Sequence, residues 1–168
     1  MGRLQRILRH RWLDEADTRR AIPPDMLQRL AQHVARSESQ HTGEIRIYVE
    51  AGLPMSYLWR HSTPRERAVA MFGKLGVWDT EQNNGVLIYL LLAEHAIEIV
   101  ADRGLSRHVA PAQWQEIVQR MGAALRAGRN EEGLVHAIDE VTALLLRHFP
   151  ATPGAANPNE LPDQPVLG

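Results

Sequence analysis

The sequence contains no cysteine. Disulfides, thiolate metal ligands and a cysteine nucleophile are therefore excluded, and with them every cysteine-based phosphatase. The absence fits a reducing, cytoplasmic setting. Phe and Tyr are scarce, at two and three residues, so the core must be built chiefly from Leu, Ile, Val and Ala. Neither sign of charge prevails. The formal net charge of −1 gives no overall field that would draw the chain to nucleic acid, and no such partner is expected. No apolar run approaches the roughly 18–20 residues that span a bilayer; the longest, Val86–Ala93, is strand-sized. Arg3, Arg6, Arg9 and Arg11 break up Met1–Leu13, which leaves no apolar region of a secretory signal. What remains, 44% hydrophobic and 23% charged over 168 residues, is the composition of one globular domain. A chain of this size buries roughly two-thirds of the surface that it exposes when unfolded.

Hydrophobic period divides the chain. A basic amphipathic helix is expected within residues 1–22, with Leu4, Ile7, Leu8 and Trp12 on one stripe and the arginines around it. A second helix starts at Pro23-Pro24, where proline suits the first turn, and ends near Ser39–Gly43. Glu44–Glu50 alternates, with Ile45, Ile47 and Val49 on one face and Arg46 and Tyr48 on the other, as in a half-buried strand. Residues 51–63 read as a loop. Thr63-Pro64-Arg65-Glu66 then supplies a cap, a first-turn proline and an acid for a helix that Gly76 ends. Val86–Leu92 and Ala96–Val100 are strands whose connection is too short for a parallel crossover, so they pair antiparallel. Two more helices follow, one from Ala110-Pro111 to Gly128 and one capped by Asn130. The fold class is α/β, with a domain over 23–148. Five prolines from Pro150 onward read as a disordered tail over 149–168.

The hairpin locates a candidate site. If Leu92 and Ala96 flank the turn, paired residue numbers sum to about 188, which sets Asn84 opposite Gly104 and Val86 opposite Asp102. Asp79, Glu81, Asn83, Asn84 and Asp102 then meet at the open end as hard oxygen donors suited to calcium or magnesium. Arg103 and Arg107 stand beside them as phosphate contacts. The reading favoured for Asn83-Asn84-Gly85 is a plain turn entering a strand, ahead of either a cation site or a phosphatase. Of the eight histidines, none lies in a His-x-His or His-x-x-x-His pair, which leaves no preformed transition-metal site.

Ala68–Val141 resembles the TPM domain family, which includes thylakoid-lumen photosystem-repair proteins and bacterial membrane-associated proteins. The matching residues are Phe72-Gly73-Lys74-Leu75-Gly76-Val77, Asn83-Asn84-Gly85-Val86-Leu87-Ile88, Ile97-Glu98-Ile99-Val100, Gly104-Leu105 and Arg126-Ala127-Gly128 with Gly133-Leu134. With the helix and strand before them, the similarity extends over about residues 24–147. It implies a three-layer α/β/α sandwich with a small mixed sheet. Some members of the family are acid phosphatases and some bind divalent cations. Relatives commonly carry Asp-Asn-Gly where this chain has Asn83-Asn84-Gly85, and the lost charge weakens both of those readings.

Two functions follow as expectations. One is a TPM-like accessory or interaction module that needs no cofactor and works with a membrane-associated partner. Arg3, Arg6, Arg9, Arg11 and Trp12 would then form the partner or membrane-surface contact, peripheral to the membrane. The other is a divalent-metal-dependent acid phosphatase, with Asp79, Asn83, Asn84 and Asp102 on calcium or magnesium and Arg103 and Arg107 on phosphate.

Overall fold

A computed structural model describes residues 3–168, with side chains from residue 5 onward. Leu4 of the expected stripe and the Arg3 side chain therefore lie outside the described side chains. The central element is a mixed four-stranded sheet in the order β3-β2-β1-β4. Strand β1 (Ile45–Glu50) runs parallel to β2 (Val86–Leu91) over six paired positions, from Ile45 opposite Val86 to Glu50 opposite Leu91. Strand β3 (Ala96–Ala101) is antiparallel to β2, and β4 (Val166–Leu167) is parallel to β1.

Every residue of β1 and β2 is buried. Both sheet faces are therefore covered, as parallel pairing requires. On one face Ile45, Ile47, Val49, Val86, Ile88 and Leu90 pack against α3 (Pro24–Glu38), α7 (Pro111–Arg126) and α8 (Asn130–His148). On the other, Leu87, Tyr89 and Leu91 pack against Leu58 of α4 (Met55–Trp59) and Ala68 and Met71 of α5 (Pro64–Lys74). The architecture is the expected α/β/α sandwich. The Thr63–Glu66 capping box forms at the start of α5. Gly76 and Gly128, with φ of 67° and 74°, follow α5 and α7.

The structure corrects several expectations. Strand β1 is not half-buried: Arg46 and Tyr48 are enclosed too, because a second helical layer and the tail cover that face. Residues 51–63 contain α4. The single basic helix of 1–22 is two helices, α1 (Arg3–Arg11) and α2 (Glu15–Ala21), the second started by an Asp14–Asp17 capping box. Helix α8 begins at Asn130 without a side-chain cap, so Asn130 is its first residue rather than its cap. Residues paired across the hairpin sum to 187, as in Val86 opposite Ala101, not 188. The connection is a 3-10 turn at Leu92–Glu94 closed by His95 at φ 47°, which pairs Leu91 rather than Leu92 with Ala96.

The largest correction is the tail, which is packed rather than disordered. Asn157 donates its amide to the carbonyls of Glu38 and His41 at 3.0 Å each. The buried Glu44 carboxylate accepts the backbone N–H groups of Glu160 (3.2 Å) and Leu161 (3.1 Å). The Arg46 guanidinium donates to the carbonyls of Pro162 and Gln164. Beyond them Gly168 N–H donates to Val49 O and Ala51 N–H donates to Gly168 O.

Glu38, buried beneath this tail, accepts Ile45 N–H at 2.7 Å. Burial, reinforced by Glu44 and Asp163, pushes its carboxyl up to about 9, and burial raises Glu44 as well. An acid raised in the folded state contributes stability that is complete below the ordinary value near 4.5 and is lost as pH climbs toward 9. The melting temperature of the full chain should therefore fall between pH 5 and pH 9 by at least about 5 °C. Glu38→Gln should flatten that profile, as scanning fluorimetry of both proteins at each pH would show.

Candidate functional site

The open end of the β2–β3 hairpin is assembled by backbone contacts that leave no room for side chains. Asp102 N–H donates to Gly85 O at 2.9 Å, and Gly104 N–H donates to Asn83 O at 2.8 Å. A Cβ on Gly104 would collide with the carbonyls of Gln82 and Asn83, so glycine is required for the 80–84 turn to lie against the start of α6 (Arg103–Ser106). Asn83 takes a φ of 52°, a left-handed conformation that asparagine tolerates.

Two side chains are fixed at this end. Asn84 is fully buried; its backbone N–H donates to Thr80 Oγ1 at 3.1 Å and its Nδ2 donates to Thr42 Oγ1 at 3.3 Å. Asp102 caps α6, with Oδ1 accepting Arg103 N–H at 2.7 Å. The remaining oxygens, Asn84 Oδ1 and Asp102 Oδ2, are buried without a hydrogen-bond partner among the described residues. An acceptor left in that condition is costly unless something outside the chain satisfies it. The other expected donors are less committed. Asp79 and Glu81 are exposed and Asn83 is half-buried. Arg103 and Arg107 are exposed beside the turn, with no ion-pair partner among the described residues. Among the described residues, no group of three or more His, Asp and Glu is placed to hold a metal.

Composition and spacing did not reveal a second polar centre. The Glu50 carboxylate, buried at the end of β1, accepts Arg67 Nη2 at 2.5 Å, Arg67 Nε at 3.0 Å and the Tyr89 hydroxyl at 2.8 Å. Tyr48 stacks on Tyr89 with ring centroids 5.9 Å apart, and the Arg67 guanidinium lies 4.9 Å from the Tyr57 ring centroid. Burial first, then the Glu50 charge, raises both tyrosine hydroxyls above the ordinary phenol range. These phenols stay protonated and donate, so the centre serves as a satisfied structural charge. The clue in the sequence was an acid at the inner end of a strand and an arginine mid-helix, a pairing that has no fixed spacing.

The N-terminal helix docks by its polar side. Arg6 Nε donates to Glu94 Oε1 at 2.7 Å and Arg6 Nη2 donates to Ser62 O at 2.7 Å. His10 is buried; its Nδ1 accepts Leu53 N–H at 2.9 Å, so the Nε2 proton is the one facing Glu94 Oε1 at 2.9 Å. Burial holds His10 below its ordinary value, consistent with a neutral ring. A Cβ on Gly52 would come within 2.7 Å of the His10 carbonyl, so glycine permits this close approach. Ile7 faces inward with the arginine and histidine, whereas Leu8 and Trp12 are turned out, at 50% and 82% exposure. Arg6, expected at a partner surface, is instead committed to the fold.

The sequence matches the TPM domain model over residues 16–144. The chain belongs to the TPM domain family. A comparison with curated proteins finds no match. Among solved structures, the fold is similar to the BA42 protein of the psychrophilic bacterium Bizionia argentinensis. The TM-score is 0.75 at 23% identity, covering 88% of this chain and 95% of that one. Such a likeness bears on the fold alone. The TPM domain match takes in the open hairpin end and the Glu50 centre but leaves α1 and the tail outside. No described helix is long and apolar enough to cross a membrane.

Within the TPM domain, Arg67→Ala would strand a buried carboxylate. The substitution should cost about 3–5 kcal/mol of unfolding free energy, read as a lower midpoint in urea denaturation. Arg19→Ala, which removes an exposed pair with Glu15 at 3.2 Å, should cost less than about 1 kcal/mol.

Proposed function

We propose that the protein is a TPM-domain accessory module that works with a membrane-associated partner and engages it through the outward side of α1. The observation that carries this reading is the inverted docking of the helix. Polar side chains fasten α1 to the domain, while Leu8 and Trp12 face solvent beside Arg9 and Arg11. A helix that docked only for stability would bury its apolar stripe, because burial of apolar surface is the main favourable term. Immobilised full-length protein should retain a defined membrane protein from a detergent extract. The doubly substituted Leu8→Glu, Trp12→Glu protein, equally folded by circular dichroism, should lose it. Equal retention by both would refute the assignment of this face.

The second reading, a divalent-metal-dependent phosphatase, draws support from the unpartnered Asn84 Oδ1 and Asp102 Oδ2. Both are hard oxygens of the kind calcium or magnesium takes, and Asp79 and Asn83 lie on the turn leading into the site. Asp102 and Asn84 would hold the cation, which when bound would polarise a phosphoryl oxygen. Arg103 and Arg107, from the start of α6 and just beyond it, would orient the phosphate. Calcium or magnesium at about 100 times its Kd should then stabilise the fold by about 2.7 kcal/mol. Thermal melting with and without Asp102→Asn, which keeps the helix cap, tests this. Phosphate-ester turnover that survives the substitution would remove Asp102 from any such site.

A further inference from the structure

Helix α1 does not expose its apolar stripe alone. It packs beside α4, and α4 repeats the same pattern, with Met55 and Trp59 one turn apart at 40% and 60% exposure. Leu8 of α1 with Trp12 just beyond its end, and Met55 with Trp59 of α4, are thus two i, i+4 pairs of large, exposed apolar residues on adjoining elements. The exposed charges described on α1, on α4 and at the Arg60 cap of α4 are all of one sign. Neither α1 nor α4 contains an acid, and Arg9, Arg11 and Arg60 are exposed. Glu94 and the acids that follow α1 in sequence are already engaged. Glu94 holds Arg6 and His10, Glu15 pairs with Arg19 at 3.2 Å, Asp17 pairs with Arg20 at 2.8 Å, and Asp14 caps α2.

We infer that this α1–α4 face is a peripheral docking surface for an anionic lipid bilayer. Tryptophan and leucine enter the headgroup boundary and the arginines contact lipid phosphates. The inference rests on the accessory-module reading and names the surface that the module meets. Its basis is charge complementarity combined with side-chain type. Tryptophans flanked by arginines suit an interface that is apolar below and negatively charged above. Leu8, Arg9, Arg11 and Trp12 lie outside the matched family span, whereas Met55, Trp59 and Arg60 lie within it.

The test uses the full chain and vesicles of phosphatidylcholine alone or mixed equally with phosphatidylglycerol. Co-sedimentation should occur with the mixed vesicles and not with neutral ones, and it should weaken on raising salt. Trp12→Ala with Trp59→Ala should reduce vesicle affinity at least tenfold. Arg9→Gln with Arg11→Gln should reduce it about thirtyfold, at roughly one headgroup attraction per arginine. Trp78→Ala, an exposed tryptophan on the loop after α5, should leave it unchanged, and circular dichroism of each variant would establish folding. Equal binding to neutral vesicles, or indifference to the arginine substitutions, would overturn the inference. Absence of vesicle binding, with a membrane protein still captured through Leu8 and Trp12, would overturn the lipid surface while leaving the accessory-module reading intact.

Discussion

The six-position parallel pairing of β1 with β2 is the constraint from which the rest of the molecule follows. A parallel pair needs a crossover, and here the crossover carries α4 and α5 onto one face. Both strands are then too apolar to leave the other face wet, so α3, α7 and α8 close it. The few polar groups that β1 takes inside must each find a partner. Glu50 finds Arg67, Tyr48 and Tyr89, and Arg46 finds the carbonyls of the tail. The two buried centres that composition did not announce are therefore consequences of placing polar residues on a fully enclosed strand.

Much of this was legible in the sequence where the signal is local. The hairpin, the Thr63–Glu66 box, the proline starts of α3, α5 and α7 and the glycine stops all depend on neighbours a few residues apart. The register was displaced by one because the 3-10 turn at Leu92–Glu94 adds a residue that strand alternation does not disclose. Non-local pairings were out of reach. Helical period identifies Leu8 and Trp12 as one stripe but not whether that stripe faces in. Glu94 decides the matter from more than 80 positions away by capturing Arg6 and His10. The tail is held by non-local partners in the same way. Proline content lowers its own capacity to fold, yet its anchors sit on Glu38, Glu44 and Arg46.

At the open hairpin end, strand alternation points to the right neighbourhood, but fewer of its polar residues converge there than alternation implies. Gly85 and Gly104 allow the turn and α6 to meet there, and Asn84 and Asp102 are brought in and left with unsatisfied oxygens. Asp79, Glu81, Arg103 and Arg107 stay at the solvent boundary, where side-chain position is set by water as much as by the fold. The site has a rigid base and a loose rim.

The tail also affects how the molecule folds. Thr18 Oγ1 donates to Gly168 O across 150 positions of sequence, and β4 meets a strand laid down more than 100 residues earlier. Contacts of such separation form late, since the chain must give up the entropy of a long loop before they return anything. Until then β1 has one edge unpaired, and at the opposite border of the sheet Arg65 covers the carbonyl of Ile99 on β3. The domain should thus pass through a state in which its most apolar pair of strands is formed but flanked by an open edge. The final stretch of chain acts as a closure against intermolecular strand pairing.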